Sequence, residues 1–116
     1  MVSASFKPIV LFLIAAFLGA LGQYFYKTGA MVGGSSLSSW VFNYRLIIGL
    51  ICYVSIMFIF IYAFRIGGAL TVLYPVYATT FVWALLIGVL LLGESVTVYK
   101  IIGVGCIIFG IYLITR

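Results

Sequence analysis

Histidine is absent from the sequence, and Glu94 is its only acidic residue. Without imidazole, and without a carboxylate cluster, no metal site is expected. No nucleophile–base pair and no Walker loop stand in the chain, so hydrolase and ATPase chemistry are not expected and no cofactor is implied. The chain is therefore not read as an enzyme. Charge of either sign is scarce: 6% of the 116 residues are charged, against about 25% in a soluble domain. Such a chain cannot cover a water-facing surface, and with 67% hydrophobic residues it reads as an integral membrane protein. Cysteine is scarce too. Cys52 and Cys106 both lie in apolar runs with no C-x-x-C spacing, and read as small core residues rather than a disulfide.

Six Lys/Arg against one acid leave a formal charge of +5. These cations stand singly at or near the ends of apolar segments, with no basic patch interleaved with aromatics. That distribution suits lipid phosphates, and nucleic acid is not an expected partner.

What the chain has in quantity is apolar length. About 20 apolar residues span the hydrocarbon core of a bilayer, and four segments reach that scale, over about residues 8–30, 44–64, 69–93 and 98–115. The first apolar run, from Pro8 to Tyr26, is too long for a signal-peptide core and has no small-residue cleavage site after it. Pro8 suits a first helical turn. "MVGGSSLSSWVFN" (31–43) is the one polar loop of any length, with Trp40 and Phe42 suited to the interfacial aromatic belt. "RIGG" (65–68) and "GESVT" (93–97) make turns, and Ser95 or Thr97 can cap the last helix. The expected fold is all-α: a single four-transmembrane-helix bundle over residues 1–116, with both termini on one side of the membrane. Lys7, Arg65 and Arg116 fall on one face and Lys27, Arg45 and Lys100 on the other. Three against three gives the positive-inside rule almost nothing to act on.

Polar residues inside the apolar segments are the candidates for function. Ala15, Gly19, Gln23 and Lys27 recur every four residues and share one helical face, grading from small to polar to cationic. An anionic head on an apolar tail would fit that gradient. The alternative is that Lys27 simply snorkels to the interface on its long stem. In the third segment, Pro75 is expected to kink the helix and free the carbonyl near Thr71. Tyr74, Tyr77, Thr79 and Thr80 place hydroxyls around it. Glu94 ends that segment and is expected to pair with Lys100 or another cation. Arg45 and Arg65 flank the second segment as topology anchors, either of which can hold a phosphate bidentately. Thr80, Ala84 and Gly88, and Gly103, Cys106 and Gly110, form small-residue stripes that let helices approach closely, within one bundle or across a dimer seam. Four short helices enclose little space, so a cavity for a sizeable solute is expected to need two copies.

"GQYFYK" in the first segment, "YPVYATTFVWALLIGVLLLGES" in the third and "IIGVGCIIFGIYLI" in the fourth together resemble the drug/metabolite transporter superfamily in its small, four-helix form. Small multidrug exporters of that superfamily carry a glutamate in the middle of helix one, where this chain has Gly19. The chain more closely resembles the flippase subunits for undecaprenyl-phosphate-aminoarabinose, through the "GQ" and "K" of the first segment, the "YP" and "FVW" of the third, and the "GE" turn. That resemblance implies movement of a polyprenyl-phosphate-linked sugar across the bacterial inner membrane by paired subunits, identical or homologous. On that reading Lys27, Gln23 and Arg45 would meet the phosphate, with Glu94 nearby, and Tyr74 and Tyr77 would line the path of the sugar. Two other readings stand beside it: an exporter of small amphipathic compounds or metabolites, and a non-transporting membrane subunit of a lipid glycosylation system.

Overall fold

The computed structural model describes residues 2–116. The chain forms α1 (Val2–Val32), α2 (Leu37–Val41), α3 (Tyr44–Arg65), α4 (Leu70–Tyr77), α5 (Thr80–Leu92) and α6 (Val98–Thr115), with no strand among the described residues. Four stretches are long and apolar enough to cross a membrane: Phe6–Val32, Tyr44–Arg65, Leu70–Leu92 and Val98–Thr115. The four-span, all-helical expectation therefore holds, with α4 and α5 together making one span.

Local chemistry sets the helix ends. The Ser36 side chain caps α2 by accepting from the Ser39 N–H at 3.3 Å. Asn43 caps α3 through the Arg45 N–H at 3.0 Å. Thr97, rather than Ser95, caps α6 by accepting from the Lys100 N–H at 3.2 Å. Gly67 at φ +109° turns the chain after α3, and Gly93 at φ +69° ends α5, both in a region that L-residues with a Cβ rarely enter.

Two boundaries differ from expectation. Helix α1 does not begin at Pro8; it begins at Val2 and carries the proline inside it. The ring costs one N–H at position 8, and the neighbouring hydrogen bonds sustain the helix through that gap. The third span breaks at Ala78–Thr79, after Pro75 rather than in the turn before it. There the ladder tightens to i→i−3 bonds: Ala78 N–H to the Pro75 carbonyl at 2.9 Å, Thr79 N–H to Val76 at 3.0 Å, and Phe81 N–H to Ala78 at 3.0 Å. The Thr79 hydroxyl also donates to the Val76 carbonyl, at 2.9 Å, and such back-bonding bends helices.

In lipid no hydrophobic drive separates helix contact from tail contact, so close packing must hold the spans together. Helix α1 is the centre, meeting α3, α4 and α5. Its face of Ala15, Ala16, Gly19, Ala20 and Gly22 is buried. Gly22 receives the Tyr53 ring and, in return, Gly49 of α3 receives the Tyr26 ring; the two rings stack at 5.4 Å. Two turns beyond Gly22, Gly29 receives Leu46. At the other end Phe12 stacks on Phe60 at 4.3 Å and joins Ala63, Leu73 and Val76 in the buried core. The Thr80–Ala84–Gly88 stripe faces inward: Thr80 reaches Gly19, and Ala84 and Gly88 share a cavity with α1. Helix α6 is different. Its main contact is with α4, it buries no residue, and nothing lies within 4 Å of where a Cβ would stand at Gly103, Gly105 or Gly110. The backbone spans 49 × 37 × 17 Å, an open slab rather than a closed bundle.

Candidate functional site

Polar side chains form a ladder along α1. The Tyr53 hydroxyl donates to the Gly19 carbonyl at 3.2 Å and accepts from Gln23 Nε2 at 2.6 Å. One helical turn further on, Lys27 Nζ donates to Glu94 Oε2 in an ion pair. Lys27 lies five residues short of the end of α1, or roughly 7–8 Å at 1.5 Å per residue. A cation costs less at that depth than at the bilayer centre, and pairing with a carboxylate lowers the cost further.

Of the cations expected to pair with Glu94, the structure brings Lys27 to it rather than Lys100. Lys100, the cation nearer in sequence, instead donates its Nζ to the Ser95 carbonyl at 2.7 Å. Backbone geometry decides the choice. After the left-handed Gly93, the N–H groups of Gly93 and Glu94 both turn back to the Gly88 carbonyl, the latter at 2.9 Å. The Glu94 side chain then lies over Gly88, so close that a Cβ there would stand 2.6 Å from Oε1. The Lys27 hydrogen bond and charge, with a smaller contribution from Lys100, hold the Glu94 carboxyl below the usual carboxylate range.

Gln23, Lys27, Glu94, Ala84 and Gly88 line a cavity of about 170 Å³ between α1 and α5. The side chains of Lys27 and Glu94 remain 53% and 43% exposed, so the pair is open to an incoming group. A larger cavity, of about 590 Å³, lies where the ends of α1 and α3 meet the 33–43 loop. It offers no charged side chain, and two of its donors are already engaged. Trp40 Nε1 donates to the Gly34 carbonyl at 3.1 Å and Asn43 Nδ2 to the Gly29 carbonyl at 2.9 Å. A third, of about 260 Å³, borders Lys7 and Tyr62.

The remaining candidates are dispersed. Arg45 donates from Nη1 to the Thr28 hydroxyl at 3.1 Å and lies over the Tyr44 ring, tying α3 to α1 outside the lysine cavity. Tyr77 places its hydroxyl over Gly19 and meets Phe60 edge-on. Tyr74 stacks on Tyr77 at 6.3 Å and is itself exposed. Gly19 and Lys27 are eight residues apart, roughly 12 Å along the axis, so the tyrosines stand deeper than the ion pair. Tyr53 is the member of this polar ladder missing from the sequence-based candidates. The signal for it was Gln23 itself, an amide in an apolar face that needs a partner.

Comparison with protein-family models, with curated protein sequences and with solved structures gives no match to this chain.

Proposed function

We propose that the chain is a membrane transporter that passes a polyprenyl-phosphate-linked sugar, or a related anionic lipid, across a bacterial inner membrane. The observation that carries the reading is the polar ladder of α1, which ends in a lysine open to a cavity between α1 and α5. A flippase needs no catalytic group; it needs a polar route lower in free energy than bare hydrocarbon. Lys27 and Gln23 supply a cation and an amide for the phosphate as it leaves the headgroup region. Tyr53 and Tyr77 continue hydroxyls inward, while the polyprenyl tail stays in lipid. Lys7, beside the third cavity, supplies a cation for the same headgroup at the opposite face. The motif resemblance to the aminoarabinose flippase subunits supports the same class.

Pairing belongs to this reading. Helix α6 turns Gly103, Cys106 and Gly110 outward with nothing packed on the glycines, the arrangement a second copy or a homologous subunit would fill. The efflux alternative meets a specific obstacle at Gly19. A side chain there would meet the Tyr77 hydroxyl, so a glutamate at this position would require Tyr77 to move aside.

Native mass spectrometry of the purified protein tests the class. A polyprenyl phosphate or its glycosylated form should be retained by the wild type and lost from Lys27→Ala. Retention of neutral or cationic compounds instead would favour efflux. Co-purification of a glycosyltransferase, with no lipid retained, would favour the scaffold role.

A further inference from the structure

We propose that Glu94 is a resident surrogate for the anionic ligand of Lys27, and that a headgroup phosphate binds by taking its place. The inference rests on the anion-site reading above and extends it to the order of events at the site. A carboxylate that merely ended a helix would extend into water. This one is turned back by three features of the chain. Gly93 adopts a left-handed conformation, the Gly88 carbonyl gathers two N–H groups, and position 88 lacks the side chain that would collide with Oε1. The result is a carboxylate seated on the one lysine of the cavity. A phosphodiester presents the same chemistry, oxygens sharing a single negative charge, to the same ammonium donors. The cavity, about 170 Å³, holds roughly six waters' worth of volume, enough for a phosphoryl group once the carboxylate swings out about Gly93.

The exchange carries a proton. Glu94 faces Lys27, Gln23 and Tyr24 of α1, Gly88 and Leu92 of α5, and the charge of Lys100 from α6. While paired, it is held ionised. When a phosphate takes Lys27, the carboxylate loses its strongest partner and gains a like charge beside it. Its proton affinity rises, so in the carboxylate pH range ligand binding draws a proton from bulk, and by reciprocity falling pH strengthens binding there.

The test uses the full chain in nanodiscs of zwitterionic lipid, with a short-chain polyprenyl phosphoryl hexose as probe. That phosphodiester keeps one negative charge throughout the titration. Wild-type affinity should rise as pH falls through the carboxylate range. Glu94→Gln should bind about fivefold tighter near neutral pH, the scale of an exposed ion pair, and lose the pH dependence. Gly88→Ala should shift affinity the same way without changing any titratable group. Competition by inorganic phosphate tells a site for the phosphate alone from one that also needs the rest of the headgroup; the surrogate role stands in either case if Glu94→Gln responds. If Lys27→Ala loses the probe while Glu94→Gln binds no more tightly than wild type, the surrogate role is wrong and the anion site survives. If wild type binds the probe no better than an uncharged polyprenol, the anion site itself is wrong and this inference falls with it.

Discussion

Gly19 shows how much a single position decides. Its Cα lies beneath the Tyr77 hydroxyl, its carbonyl accepts from Tyr53, and Thr80 closes the third side. Gly19→Ala should destabilise the protein in detergent by about 1–3 kcal/mol, the usual range for overpacking. Tyr77→Phe in the same chain should recover part of that loss, giving a favourable coupling in a double-mutant cycle. Strict additivity would show that the hydroxyl is not the obstacle. Glu94 permits an equally sharp measurement, because it is the only side-chain carboxyl in the molecule. Its folded-state proton affinity is depressed by Lys27. The ion pair is therefore fully present above the ordinary carboxylate range, and is lost as pH falls through the depressed value. Infrared titration should show the protonated carboxyl band emerging at lower pH in wild type than in Lys27→Ala. An unchanged midpoint would mean that the pair does not persist in solution.

At the scale of the helices, the four spans were legible because apolar length is a one-dimensional property. Thr97 and Gly93 were legible because capping and left-handed turns have residue signatures. The interruption of the third span was legible in kind but not in place. Pro75 marks a lost N–H, yet the break falls three residues later, where Thr79 back-bonds to Val76 and the ladder tightens. Removing the hydroxyl without changing shape, by Thr79→Val, should slow amide exchange over Thr79–Val82 by about fivefold, the equivalent of one net hydrogen bond of about 1 kcal/mol. Unchanged exchange would assign the break to packing of α4 on the Phe12 core instead. The candidate site was half legible. Gln23 and Lys27 stood out as polar residues on an apolar face. Their partners did not, because Tyr53 is one of nine tyrosines and Glu94 is 67 residues from Lys27, aimed by backbone that no spacing rule encodes. The main seam was missed for a similar reason. The sequence put small residues on the last two spans in view, whereas the tightest packing is the exchange of Tyr26 and Tyr53 into glycines across α1 and α3.

For the whole molecule, the open slab assigns different jobs to its two sides. Helix α1 is clasped by α3, α4 and α5, while α6 lies at the margin with its glycines uncovered. If α6 is the pairing surface, Gly103→Leu and Gly110→Leu should leave the monomer folded and shift the assembly toward monomer. Cross-linking through the exposed Cys106 should fall in parallel. A stable pair in both variants would move the seam elsewhere. The role of the lysine at the mouth of the α1–α5 cavity is tested most directly by translocation of a fluorescent polyprenyl phosphoryl hexose in proteoliposomes. Wild type should move the lipid between leaflets, Lys27→Ala should fall to the rate of protein-free vesicles, and Lys27→Arg should retain part of the activity. Full translocation by a well-folded Lys27→Ala protein would contradict the assignment of Lys27 as the phosphate-binding residue.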